Sequence, residues 1–179
     1  MFSASGFLPG RRADLVDLSQ ALTDLLGVPV QAREERRGIA AITEAATFSD
    51  DPEQPEVGVC ITSSGQFKGR FLLMMRPQDA RRVGRLLGEG DAPAEAVLDA
   101  CREVATIIAG HYLTAVERLA GEVGTPSPPA SAVDMMAAIV QDVVSSAGDL
   151  AVASLFSILL GDDDGPMQLR LLVLRDSPV

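Results

Sequence analysis

The first part of the chain has the hydrophobic spacing of an amphipathic helix. Between positions 12 and 26, apolar residues recur every three or four positions, which is the period of a helix with one buried face. Gly27 follows the last of them, as glycine commonly does at a helix end. The pattern predicts a helix over 12–26, whose buried face carries Leu15, Leu18, Leu22, Leu25 and Leu26.

Strand and turn patterns follow this helix. The segment 28–33 predicts a short strand, and 38–47 fits either a strand or a short helix. The acidic, proline-bearing segment 49–56 predicts a loop. Two apolar segments, 57–62 and 69–75, are joined by the polar turn SSGQFK and predict a β-hairpin.

The rest of the chain is predicted to contain three helices and a second hairpin. Pro77 predicts the first turn of a helix over 77–87, since proline is tolerated there. A long helix is predicted over 93–120, where Gly121 and the following prolines end it. Two more elements complete the chain: a helix over 131–147 with Ser131 as its N-cap, and a hairpin of strands 151–160 and 167–175.

Two segments one hundred residues apart resemble each other. GQFKGRFLLMM (65–75) aligns with GPMQLRLLVLR (165–175), and LTDLLGVPV (22–30) aligns with VERLAGEVG (116–124). We infer a single α+β domain over 1–179, with a degenerate first repeat at about 12–90 and a second at about 91–176. Two such units predict one mostly antiparallel sheet with the long helices on one face. The alternative is that the hairpins are alike only because α+β proteins often contain two.

Composition then excludes several function classes. The formal net charge is −10 and the chain has no Trp, so it lacks both the clustered cations and the stacking surface that nucleic-acid binding requires. No apolar segment is long enough to span a membrane, and the N-terminus lacks the apolar stretch of a secretory signal. These features predict a cytoplasmic protein that inserts into no membrane.

Candidate metal and nucleophile residues are few. Cys60, Cys101 and the single histidine, His111, are isolated in the sequence, so we expect no resident metal or cofactor, buried cysteines and a packed histidine. The acidic turn 162–164 is the one candidate cation site, but it lacks the pattern of a calcium loop, and a solvated turn is the favoured interpretation.

The predicted helix 93–120 has two distinct faces. Apolar side chains occupy one of them, while Asp99, Glu103, Thr106 and Gly110 lie opposite, near the centre of the exposed side. Like charges four positions apart destabilise a helix by about 0.2–0.5 kcal/mol. Glycine in a helix interior costs about 0.5–1 kcal/mol relative to alanine. A face built only for stability would avoid both costs, but on these physical grounds alone an ordinary solvated face with an incidental glycine is the favoured interpretation.

This helix resembles that of the CheC family of bacterial chemotaxis phosphatases. The family pattern is Asp-x3-Glu-x2-Asn-x22-Pro, and Asp99, Glu103 and Pro129 fall at its spacings. Thr106 stands at the position of the asparagine. The segment EVATIIAGHYLTAVERLAGEVGTPSPP, which includes Gly110, resembles the family's motif helix and the strand after it.

The resemblance implies a duplicated α+β fold that docks a phosphorylated CheY-type response regulator and hydrolyses its aspartyl-phosphate. Members often carry the motif twice. In the first repeat of this chain the equivalent positions are Ser5, Pro9 and Arg12, which implies that only one site remains.

The same resemblance assigns roles to the site residues. The regulator brings its own Mg²⁺ and lysine, so the phosphatase only docks and places a water in line with the phosphorus. Glu103 would anchor the regulator, while Asp99, Gly110 and Pro129 would belong to the partner-binding surface. Thr106 is shorter than asparagine, and a helical threonine often donates its hydroxyl hydrogen to its own backbone.

Two functions therefore stay open. The first is a regulator phosphatase that works through Glu103 and Thr106. The second is a non-catalytic adaptor of the same fold that binds a response regulator, the deamidase CheD or a flagellar-switch component.

Overall fold

A computed structural model of the protein describes residues 12–41, 53–88, 93–145 and 150–176. Four helices and seven strands form one α+β unit. In chain order they are α1 (Arg12–Leu26), β1 (Val30–Ala41), β2 (Pro55–Gly65), β3 (Gly69–Met75), α2 (Pro77–Leu86), α3 (Ala94–Ala120), β4 (Gly124–Pro126), β5 (Ala130–Met135), α4 (Met136–Ser145), β6 (Leu150–Asp162) and β7 (Gly165–Asp176).

All seven strands belong to a single antiparallel sheet. The strand order is β1-β6-β7-β3-β2-β4, and β5 pairs with β2 beside β4. The hairpins β2–β3 and β6–β7 lie side by side, joined by the pairing of β3 with β7. This architecture confirms the predicted fold class.

Side chains alternate between the two faces of the sheet, and each face has its own core. Helices α1, α2 and α3 pack on one face against Phe71, Leu73 and their neighbours. Helix α4 packs on the opposite face against Leu72 and Met74. The long helices therefore share one face, as predicted, and the shorter α4 closes the other.

The halves of the sheet are related by an approximate twofold axis. Leu72 of β3 pairs directly with Leu172 of β7, and these residues occupy equivalent places in the aligned segments 65–75 and 165–175. Helices α1 and α3 also end alike, because Gly27 and Gly121 both adopt the left-handed conformation, with φ of 69° and 68°. The limits of the two repeats stay a prediction.

One predicted helix start is wrong. Residues 131–135 form most of β5 instead of the first turn of a helix, and α4 begins at Met136. Ser131 is therefore a strand residue, paired with Val59 of β2. The pairing with β2 satisfies the backbone along this segment, a contact between distant residues that local helix signals do not reveal.

The remaining predicted elements agree closely with the structure. Strand β1 is longer than the predicted 28–33 and includes 38–41, which settles that part of the ambiguous segment as strand. Positions 42–47 and the first part of the predicted loop, 49–52, lie outside the described residues; the loop prediction is wrong at Pro55 and Glu56, which begin β2.

An aromatic cluster fixes α3 on the sheet. Tyr112 of α3 packs edge-on against Phe71 of β3 and Phe156 of β6, with ring centroids 5.2 and 6.3 Å apart. Phe67 contacts the same tyrosine at 6.0 Å. Because these rings are buried, they determine which side of α3 faces the core and which faces solvent.

Candidate functional site

Helix α3 presents a continuous exposed strip along its outer face. The helix begins after Pro93 and ends at Gly121, whose N–H donates to the carbonyl oxygen of Glu117 at 2.8 Å. Its opposite side is buried along the whole length. The strip, which we call the α3 face, consists of Asp99, Glu103, Thr106, Gly110, Thr114 and Glu117.

Glu103 is an exposed carboxylate on this face. Within the described part of the chain it makes no ion pair or hydrogen bond through its side chain. A free carboxylate on a rigid helix can bind a cation on another molecule without first breaking a contact within its own chain. The anchoring role that the family resemblance implies for Glu103 stays a prediction.

Thr106 lies one turn further on and is also exposed. Its hydroxyl donates to the carbonyl oxygen of Arg102 at 2.8 Å, which is the local bond that threonine commonly makes in helices. The hydroxyl proton is thus already engaged, and only the oxygen lone pairs face outward. An asparagine at this position would instead hold out both a donor and an acceptor.

Arg102 organises the border between α3 and β5. Its guanidinium donates to Asp99 at 2.5 Å and to Glu95 at 3.0 Å on the same helix. It also donates to the hydroxyl of Ser131 on β5 at 2.7 Å. The hydrogen bonds that Arg102 donates to Glu95 and Asp99 raise the pKa of its guanidinium. Asp99 is therefore partly neutralised and is less available to a partner than Glu103.

The role of Arg102 in this site, and its hydrogen bond with Ser131, were not predicted from the sequence. The spacing of Glu95, Asp99 and Arg102 along one helix is visible in the sequence and signals a local ion-pair cluster. The contact with Ser131 is not visible, because it requires β5 to be a strand beside α3.

Gly110 lies on the α3 face with open space above it. A methyl group added there would meet no atom within 4 Å, so packing inside this chain does not require glycine. The equivalent position in α1 is Val16, whose side chain is 58% exposed. The open space above Gly110 is thus a feature of α3, whereas α1 has an exposed valine side chain at the equivalent place.

Pro129 lies between β4 and β5 and is half-buried. The chain just before it is held to β2, because the N–H of Ser127 donates to the carbonyl oxygen of Thr62 at 2.7 Å. The Arg102–Ser131 bond links the strand after Pro129 to α3. Of the first-repeat counterparts, Ser5 and Pro9 lie outside the described residues, and Arg12 begins α1.

The other candidate residues take structural places. Asp162 and Asp164 pair with Arg82 and Arg85 of α2, so the acidic turn is held to that helix. Burial raises the pKa of Cys101 to about 11, as expected of a packed thiol, whereas Cys60, also predicted to be buried, is half-buried.

His111 is exposed, contrary to the packed position predicted for it. Among the described residues no group of three or more metal-binding side chains comes together, and no helix there is long and apolar enough to cross a membrane.

No protein-family model matches the chain. Solved structures do match it in fold. FliY of Thermotoga maritima aligns with a TM-score of 0.67 and 13% identity, covering 89% of this chain and 83% of FliY.

Two complexes contain the same fold. The CheX–CheY–BeF₃–Mg²⁺ complex of Borrelia burgdorferi aligns with a TM-score of 0.58 and 19% identity, covering 92% of this chain and 97% of that one. The FliG–FliM complex of H. pylori gives 0.59 and 13%, with 88% and 85% covered. The chain therefore has the fold that FliY, CheX and the FliM middle domain share, which is the fold of the CheC/CheX/FliY group.

Proposed function

We propose that this protein docks the phosphorylated receiver domain of a CheY-type response regulator through the α3 face, with little hydrolysis of the phosphoryl group. The observation that carries the proposal is that Glu103 offers a free carboxylate, while the hydroxyl of Thr106, one turn away, is hydrogen-bonded to its own helix. The fold supports it as well, since one solved structure of this fold is a complex of CheX with CheY. A cytoplasmic location follows from such a partner.

Docking requires a rigid surface that reaches into a phosphorylation site. Glu103 and Thr106 are three residues apart on one helix, so both can enter a partner's site together. The charge of Glu103 suits a regulator's lysine, and the surface at Gly110 lets the partner's backbone approach the helix closely. The regulator would supply its own Mg²⁺.

Hydrolysis requires more than docking. The attacking water must be held in line with the phosphorus by a group that both donates and accepts a hydrogen bond. The hydroxyl of Thr106 already donates to Arg102 O at 2.8 Å, so donating to the water or phosphoryl group would require breaking that bond. A displacement on the order of 1 Å in such a group can reduce a rate about a hundredfold. We therefore expect binding to be retained and turnover to be slow.

A second candidate is an adaptor at the flagellar switch. It is favoured by the likeness to the FliM middle domain, one example of which is solved in complex with FliG. This function would use the same fold without any phosphoryl chemistry. Binding of FliG by the purified protein, unchanged by Glu103→Ala, would favour the adaptor over the regulator-binding function.

The binding test uses two matched glutamates on the α3 face. Glu103 and Glu117 are both exposed, but only Glu103 has the position of the motif. With a CheY-type regulator of the same organism, activated by BeF₃⁻ and Mg²⁺, Glu103→Ala should weaken binding about tenfold or more, the loss expected when a close charge pair is broken. Glu117 lies 14 residues further along the helix, about 21 Å away, so Glu117→Ala should lose less than about threefold. Equal affinities for native protein and Glu103→Ala would reject the proposal.

A further inference from the structure

Strand β5 is an edge strand whose outer side is open among the described residues. It pairs with β2 on its inner side, and no other described strand lies beyond it. Two hydrogen bonds reveal which of its peptide groups point inward. The N–H of Met136, just after the strand, donates to Gln54 O at 3.0 Å, continuing the pairing with β2. The N–H of Met135 instead donates to the Asp134 carboxylate at 2.7 Å.

In an antiparallel pair, inward and outward peptide groups alternate along the strand. The N–H of Met136 points toward β2 and the N–H of Met135 points away from it. The N–H groups of Ser131 and Val133 therefore point away from β2 as well. Among the described residues no strand lies beyond β5, and no turn, loop or side chain accepts a hydrogen bond from these two N–H groups. Two consecutive outward positions therefore offer a free backbone edge, which is where an added strand can pair.

Two large apolar side chains along this edge are exposed. Val133 is 59% exposed and Met135 is 51% exposed. Val133 pairs with Val57, which belongs to the core on the helix side of the sheet. The two side chains therefore lie on the same side of the sheet as α3. The bond between Arg102 and Ser131 makes this edge continuous with the α3 face.

The surroundings of the edge are acidic. Glu95 and Asp99 of α3 adjoin it through Arg102, which donates to both carboxylates and to Ser131, and Asp134 belongs to the strand itself. A second copy paired at this edge would bring two acidic groups together, and like charges in contact are unfavourable. A segment that combines apolar and basic residues is favoured instead.

We propose that the β5 edge receives an extended segment of the docked regulator, with an apolar side chain against Val133 and a basic one toward Glu95 and Asp99, two carboxylates that share the single arginine Arg102. The segment would add a strand to the sheet, a mode in which main-chain hydrogen bonds supply affinity and alternate side chains supply specificity. This inference rests on the proposed function, because the segment belongs to the partner that the α3 face holds.

The test combines a backbone substitution with a measurement on the native protein. Val133→Pro removes an outward N–H without removing a bond to β2, whereas Val133→Thr keeps that N–H and the branched shape. With the BeF₃⁻-activated regulator, Val133→Pro should weaken binding about tenfold, from the loss of one hydrogen bond and one apolar contact. Val133→Thr should lose less than about threefold, since only its apolar contact is reduced.

Amide hydrogen exchange in the native protein guards against misfolding of the proline variant. Adding the activated regulator should slow exchange at Ser131 and Val133. If the regulator binds in a Glu103-dependent manner while exchange at these two amides is unchanged, the edge inference is wrong and the proposed function stands. If the native protein binds no regulator at all, both are wrong.

Discussion

The hydroxyl of Thr106 makes a local hydrogen bond that bears directly on whether docking, as proposed, is separated from catalysis. The side chain is exposed at the position where the motif has asparagine, yet its hydroxyl donates to Arg102 O of its own helix at 2.8 Å. Threonine has a single hydroxyl donor, which helical threonines commonly use in this bond, whereas an asparagine amide has two N–H donors and could still offer one outward. The substitution therefore changes where the donor points as well as which group is present.

Gly110 gives a prediction about the trade between stability and binding. Gly110→Ala should raise the free energy of unfolding by about 0.5–1 kcal/mol, because alanine favours the helix and its methyl group meets open space. The same variant should bind the regulator more weakly if the partner approaches the helix there. Urea denaturation and a binding titration measure the two effects.

Gly84 in α2 is the matched control for stability. A methyl group there would lie 3.3 Å from Cγ2 of Val97, so the gain from helix propensity should be offset by crowding. If Gly84→Ala stabilised the protein as much as Gly110→Ala, the argument from open space would be wrong.

Glu56 gives a prediction about pH. The residue is fully buried; one carboxylate oxygen accepts from Arg170 at 2.7 Å, while Oε2 has no hydrogen-bond partner among the described residues. Burial raises the pKa of Glu56 above its ordinary value of 4.5, and Arg170 offsets this only in part. The folded protein thus holds this proton more tightly than the unfolded chain, so stability falls as pH rises from about 4.5 through the raised pKa.

Glu56→Gln removes this titration. We expect the urea midpoint of the variant to gain on that of the native protein as pH is raised from 4.5 toward 7.5. The measurement is the difference between the two midpoints at each pH, which cancels the titration of other groups. A difference that stays constant across the range, or moves in favour of the native protein, would contradict the account of Glu56.

At the scale of elements, the ends of α1 and α3 provide a prediction from the approximate twofold. Gly27 and Gly121 have positive φ, and neither has an atom within 4 Å of an added methyl group. Gly27→Ala and Gly121→Ala should therefore each cost about 1–2 kcal/mol through backbone conformation alone. Gly161→Ala, also in open space but without positive φ, should cost much less. Thermal or urea unfolding of the three variants measures this.

The elements also show what the sequence can and cannot reveal. The bounds of α1 and α3 were predictable because periodic leucines and terminal glycines act locally. Strand β5 was not predictable, since most of its side chains are exposed and its partner β2 lies some seventy residues earlier. For the same reason Arg102 was passed over, while Glu103 and Thr106 could be found from their spacing alone.

At the scale of the whole molecule, the two halves of the sheet share one plan but differ in surface. The α3 face carries Glu103 and the open surface at Gly110, whereas α1 carries exposed Val16 in the equivalent place. Loss of one site from a duplicated fold leaves the scaffold unchanged, because the sheet and its cores depend on the buried positions. We therefore expect one regulator per chain, which the stoichiometry of a binding titration measures.

The central claim is that the α3 face is a regulator-docking surface whose catalytic donor is missing. The measurement that tests it most directly is phosphate release from a phosphorylated CheY-type regulator of the same organism, with native protein, Thr106→Asn and Thr114→Asn compared. Thr114 is exposed on the same face, so it controls for adding an amide anywhere on the helix. We predict acceleration by Thr106→Asn of about a hundredfold over the native protein, and none by Thr114→Asn. If the regulator releases phosphate no faster with Thr106→Asn than with the native protein, the claim is contradicted.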